Sequence, residues 1–330
     1  MLSRVAESVY WMSRYVERAE NVARFIGVNY QLTLDSPLQQ ADQQWMPLVN
    51  TSGDHEDFAK RYGQATQQNV LHFLMTDPKN PNSILSCVRA ARENARTVRE
   101  IISSEMWLQL NKFYLLMNST GADPRSLESP QELLEEVKLA SHLFTGITNA
   151  TMTHGEAWHF SRMGRMLERA DKTSRILDVK YFILLRSVSD IGTPFDDIQW
   201  AAVLRSASAF EMYRKCHGRI SPRKVVEFLL LDRDFPRAIQ YCLIEARNSL
   251  HAISGTPLGT FRYPPEKMVG QLCSDLSFAG VDEILDSGLH EYLDDLQGGV
   301  NQIGSGIHDT FFAFKTPEPA KRRKEMMQSQ

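Results

Sequence analysis

The chain has 330 residues, of which 42% are apolar and 23% charged, and its formal net charge is −3. That length predicts about two domains' worth of core, and the balanced composition excludes an intrinsically disordered chain. A charge this close to neutral gives no electrostatic footprint for nucleic acid or an anionic membrane, so neither is expected as a partner.

In chain order, the N-terminal stretch goes directly into an amphipathic pattern. It has no basic region followed by an apolar one, so no secretory signal is expected. Val5, Val9, Met12, Val16, Ala19, Ala23 and Ile26 recur every three or four residues and predict a long first helix. A second long helical pattern covers residues 93–117, and 121–129 reads as a loop. Ser129-Pro130-Gln131-Glu132 combines an N-cap, a first-turn proline and a capping-box glutamate, opening a helix to about residue 150. Residues 190–197 and 256–265 read as loops, Ser221-Pro222 opens another helix, and 281–303 is the last helical pattern. No run alternates like a strand, and the apolar runs at 181–185 and 225–231 are far too short to span a bilayer. The tail from Thr316, with Lys321-Arg322-Arg323-Lys324, reads as a polar, frayed end. Cys87, Cys216, Cys242 and Cys273 form no CxxC pair, as expected of reduced, mostly buried thiols in a cytoplasmic protein. The expected fold is all-α.

An internal repeat organises these elements. Arg14-Tyr15-Val16-Glu17-Arg18-Ala19-Glu20 aligns with Arg165-Met166-Leu167-Glu168-Arg169-Ala170-Asp171 at an offset of 151 (168 minus 17). The match continues through Arg24 and Arg175, then Tyr30 and Tyr181. A second block aligns at an offset of 155 (242 minus 87). It pairs Trp45 with Trp200, Phe73 with Phe228, Pro81 with Pro236, Cys87 with Cys242, and Ala91-Arg92 with Ala246-Arg247. The change of offset implies a four-residue insertion in the loop at 187–197. We therefore expect two pseudo-repeated helical units, 1–150 and 151–315, packed into one multi-helix bundle, with 316–330 as a disordered tail.

The repeat carries a charged stripe. Arg14, Glu17, Asn21 and Arg24 share one helix face, with Arg18 beside them, opposite the apolar residues. The second copy rebuilds the face with Arg165, Glu168, Lys172 and Arg175, flanked by Arg169. A solvated face, a buried ion-pair network and a polar ligand pocket all fit this spacing. Retention of the stripe in both copies favours the last two. Arg92 and Arg247 either extend the network or clamp a carboxylate or phosphate. Glu156-Ala157-Trp158-His159 has the spacing of a di-iron ligand pair, but such a site needs two copies and Val5 and Ser8 stand at the equivalent positions. No metal or cofactor is expected. Walker A, dinucleotide, zinc-protease and serine-hydrolase motifs are all missing.

The opening Leu2-Ser3-Arg4-Val5-Ala6-Glu7-Ser8-Val9-Tyr10-Trp11-Met12-Ser13-Arg14-Tyr15-Val16-Glu17-Arg18-Ala19-Glu20-Asn21 resembles the bacterial alpha-E domain family, also called DUF403. Ala91-Arg92-Glu93-Asn94-Ala95-Arg96, Ser104-Glu105-Met106-Trp107 and the run from Trp158 to Asp171 resemble it too. The resemblance covers nearly the whole chain. It implies an all-helical fold and makes Glu17-Arg18 and Glu168-Arg169 the functional candidates. It also implies a setting beside a circularly permuted ATP-grasp protein and transglutaminase-like proteins, in a system that makes or modifies peptides. Ser13 stands where the resemblance leads us to expect a glycine like Gly164, so helix packing should differ there. Two functions remain open. One is a non-catalytic partner whose arginines (Arg14, Arg18, Arg24, Arg92, Arg165, Arg169, Arg175, Arg247) hold an acidic or peptide ligand. The other is an enzyme using Glu17 or Glu168 as a general base in amide chemistry.

Overall fold

A helix with apolar residues at every third or fourth position has to cover that stripe, and this chain covers it with further helices. The computed structural model describes residues 1–34, 45–120, 127–184 and 194–313, and every regular element among them is helical. The two longest helices are α1 (Ser3–Leu34) and α8 (Glu156–Leu184). Between them lie α2 (Met46–Ser52), α3 (His55–Tyr62), α4 (Gln67–Leu71), α5 (Ile84–Thr97), α6 (Ser104–Thr120) and α7 (Gln131–Thr151). After α8 come α9 (Pro194–Ser206), α10 (Phe210–His217), α11 (Pro222–Leu231), α12 (Ile239–Ser254), α13 (Pro264–Phe278), α14 (Val281–Ser287) and α15 (Leu289–Ile307). α4 and α15 each continue into a π-helical turn, His72–Thr76 and His308–Phe312.

α1 and α8 pack side by side at the centre and run parallel, so residues at matching positions in the two helices meet. α5 covers α1 and α12 covers α8, each antiparallel to its partner. α7 closes over α1, and α15 closes over α8. The connections interlock: α2 follows α1 in sequence but lies mainly against α8, while α9 follows α8 and reaches back to α1. One apolar cluster runs through both halves, with Trp45 and Trp200 buried in it. No helix of the described residues is long and apolar enough to cross a membrane.

The parallel pair comes into close contact at Gly164. A Cβ placed there would lie 2.5 Å from the Tyr10 carbonyl oxygen and 3.0 Å from its ring. Opposite, the counterpart Ser13 is buried and its hydroxyl meets that of Ser161 at 2.7 Å. The missing side chain at 164 makes room for α1, and the serine pair satisfies the polar atoms trapped at the crossing.

Four sequence expectations change. The stretch at 190–197 is not loop throughout, because α9 already starts at Pro194, where Asp196 and Asp197 fall in its first turn. The pattern at 93–117 is two helices, because Val98 leaves helical geometry (φ −124°, ψ 27°) and the Ser103 hydroxyl accepts the Met106 N–H at 3.2 Å, starting α6 afresh. The pattern at 281–303 is also two helices, divided at Gly288, whose φ of +106° suits glycine. Pro130 rather than Ser129 caps α7, and no side-chain cap forms there. The four-residue insertion falls largely, and the basic tail wholly, outside the described residues.

An alanine in mid-helix ordinarily gains up to about 1 kcal/mol over glycine. Gly164→Ala should instead destabilise the protein by about 1–3 kcal/mol, because the new methyl meets backbone. Urea denaturation would read this directly, and a stabilised variant would contradict the close approach.

Candidate functional site

The parallel register sets each Glu-Arg motif beside the other. Glu168 accepts from Arg18 Nε at 2.6 Å and Nη2 at 3.0 Å, and from Arg14 Nε at 2.9 Å. Glu17 accepts from Arg169 Nε at 2.7 Å and Nη2 at 2.8 Å. Each helix therefore gives its glutamate to the other helix's arginine in a bidentate pair, the strongest geometry these groups form. Glu168 is 0% exposed and Glu17 is 2% exposed, so the stripe is buried and the solvated-face reading is excluded.

The network extends along both helices, joining the stripe residues to three groups outside the predicted stripe, Glu20, Asp171 and Arg237. Arg237 donates to Glu20 at 2.5 Å and to Glu17 at 3.5 Å, and Arg24 also donates to Glu20. Asn21 Nδ2 donates to Glu17 Oε1 at 3.0 Å. On α8, Asp171 pairs with Arg175 at 3.0 Å and with Lys172 at 3.1 Å. Glu20 and Asp171 occupy matched acidic positions in the repeat, a signal open to detection. Arg237 had none, because its counterpart is Asn82, which takes a bond from Arg18 Nη1 at 2.6 Å.

Four buried carboxylates (Glu17, Glu20, Glu168, Asp171) thus share seven cationic partners (Arg14, Arg18, Arg24, Arg169, Lys172, Arg175, Arg237). Burial pushes each of these carboxyls up, but the neighbouring cations outweigh it: Arg169 holds Glu17 down, and Arg18 with Arg14 holds Glu168 down. Arg237 holds Glu20 well below its usual range, and Lys172 with Arg175 lowers Asp171. Arg165 is the exception. It is buried, has no hydrogen-bond or ion-pair partner among the described residues, and is lowered to about 10 by burial and by the charge of Arg169.

The remaining candidates lie apart from this network. Arg92 bonds Asn111 at 2.6 Å and Glu93 at 3.0 Å, and its guanidinium lies over the Trp107 and Tyr114 rings. Arg247 is half-buried on α12, and its Nε has no hydrogen-bond partner among the described residues. Cys87 and Cys242 are buried, face the Pro81 and Pro236 carbonyls, and are pushed up to about 12 by burial, so neither is a thiolate nucleophile at neutral pH. Glu156 takes the N-terminal amino group at 2.9 Å, and the His159 ring packs edge-on against Trp158.

The fold and clasp define a class: an all-helical protein centred on two parallel helices that exchange Glu-Arg pairs. The chain belongs to the Alpha-E family, described as a predicted alpha-helical domain with a conserved ER motif, which matches residues 1–312. Uncharacterized proteins of Mycobacterium bovis and Mycobacterium tuberculosis are 25% identical to it over 338 aligned positions, covering 96% of this chain and 37% of theirs. The chain thus spans little more than a third of the length of these relatives. No solved structure matches it.

Glu168→Gln would leave Arg14 and Arg18 buried beside a neutral amide and should cost about 3–5 kcal/mol of stability. A carboxyl whose pKa is lowered on folding contributes its stability above the unfolded value, near about 4.3, and loses it as pH falls toward the folded value. The stability gap between wild type and Glu168→Gln should therefore be full at pH 7 and shrink below about pH 4. Chemical denaturation across pH measures it, and a gap that widens on acidification would contradict the ion pairs.

Proposed function

We propose that this chain is a non-catalytic helical partner in a cytoplasmic amide-ligation system, working with an ATP-grasp ligase and, nearby, transglutaminase-like proteins. The observation that carries this reading is the saturation of both motif glutamates. A general base needs a carboxyl raised toward neutrality, whereas Glu17 and Glu168 are lowered and fully occupied by arginines. The motif then clasps two diverged copies of one helical unit. Its reciprocal pairs, and the matching Cys87–Pro81 and Cys242–Pro236 contacts, support such a duplication.

A partner also needs a surface to offer. Leu108 and Leu115 on α6 and Leu139 and Leu143 on α7 are each more than half exposed. α6 and α7 are antiparallel neighbours, tied by Gln109 to the Ala140 carbonyl and by Ser103 to Thr151. These leucines form an apolar outer face suited to docking the ligase. The greater length of the mycobacterial relatives, which carry this segment within a longer chain, fits a module built to sit against others.

Co-purification from the native host should recover an ATP-grasp protein. Leu108→Glu with Leu143→Glu should abolish recovery while the melting temperature stays within a few degrees of wild type. Absence of any ATP-grasp protein would refute the reading. Amide turnover by the isolated chain, lost in Glu17→Gln or Glu168→Gln, would replace it with the enzymatic one.

A further inference from the structure

A cleft of about 530 Å³ lies away from the clasp's centre, where the second half of α1, the first turns of α7 and the α9–α10 junction meet. That volume falls within the range of small-ligand sites, about 300–1,000 Å³. Two features separate it from an ordinary surface groove. First, its inner wall includes Arg24, which is only 7% exposed. Arg24 uses Nη2 for Glu20 and faces His142 at 3.5 Å, while its Nε has no hydrogen-bond partner among the described residues. A buried guanidinium with an unused donor is an expensive arrangement unless an anion completes it.

Second, the rim carries opposite charges: Lys138 and Glu135 pair with each other at 2.5 Å, whereas Arg205, Glu132 and Glu211 form no pair among the described residues. Arg205 has only the Phe210 ring beneath it, and Glu132 and Glu211 have no partner among the described residues. Charges left unpaired around one concavity can hold a ligand bearing both signs, whereas a single-sign rim would select a simple anion. Between Arg205 and Glu211, Ser208 has a φ of +50°, the sole non-glycine residue with positive φ among those described. Its own N–H reaches the Arg205 carbonyl at 3.0 Å, and the following Ala209 N–H reaches that of Leu204 at 2.7 Å. This pair of bonds is the Schellman turn that ends α9, and it sets Arg205 and Glu211 at the cleft.

We propose that this cleft binds a zwitterion of short-peptide size, its carboxylate against Arg24 and Arg205 and its ammonium against Glu132 and Glu211. The cationic excess of the clasp next to Arg24 strengthens the carboxylate end. The assignment stands on the cleft alone and does not require the ligase partnership.

The test is calorimetric titration of the full chain with four probes: dialanine, N-acetyl-dialanine, dialanine amide and acetate. Dialanine should bind saturably, and capping either end should weaken binding by about tenfold or more, the loss expected for one charge-assisted contact. Arg205→Ala and Glu211→Gln lie on the exposed rim, so they should weaken dialanine binding similarly without shifting the melting temperature. No saturable binding of dialanine would overturn the proposal. So would equal binding of the capped probes or acetate, or binding unchanged in both variants.

Discussion

The structure depends on the reciprocal exchange of Glu17 and Glu168 between two parallel helices. Taking a carboxylate out of water costs several kcal/mol, and attraction repays this only where geometry is good and the other lone pairs are used. Both conditions hold here: each glutamate has a two-pronged arginine, and Glu168 adds Arg14 while Glu17 adds Asn21 and Arg237. Such a network contributes less to total stability than to register. Sliding α8 by one turn would bury both glutamates against the wrong side chains. Apolar packing between long helices tolerates slippage; buried bidentate pairs do not.

That constraint also shapes the chemistry open to the protein. A carboxylate ringed by guanidinium groups is a poor proton acceptor, so the two motif glutamates are held in the charged form. The cations outnumber the acids, and the surplus is unevenly distributed. Arg14 has Glu168 and the Tyr10 hydroxyl at 3.1 Å, whereas its counterpart Arg165 has neither kind of partner. Ser161 stands where the first helix has Tyr10 and its hydroxyl is engaged with Ser13, while Glu17, the counterpart of Glu168, is taken by Arg169, Asn21 and Arg237.

Much of this was legible in the sequence because it depends on periodicity. The helical spacing from Val5 to Ile26 and the matched stripes at Glu17 and Glu168 are one-dimensional patterns, and the all-helical fold follows from them. Burial of the stripe was not legible, since a helix face of alternating charge reads the same in water and against another helix. Arg237 was hidden for a related reason. It reaches Glu20 only because α12 folds back along α8, a long-range contact with no local signature. The breaks at Val98 and Gly288 were missed because the apolar spacing continues across them, while backbone angles decide where a helix ends.

A clasp that fixes α1 against α8 also fixes everything those helices carry outward. Arg24 lies two turns beyond Glu17 on the same helix, so the rigid network delivers one guanidinium to the end of the stripe, held by Glu20 on one side. Arg237 bonds the same Glu20 and leaves Arg24 with donors to spare. The cleft there is completed by α7 and by the Ser208 turn, elements that belong to different parts of the chain and meet only because α9 crosses back to α1. The interlocked connections and the ion-pair clasp are thus two halves of one arrangement. One fixes the register of the central helices, and the other brings a distant turn to the place where that register leaves a cation exposed to a ligand.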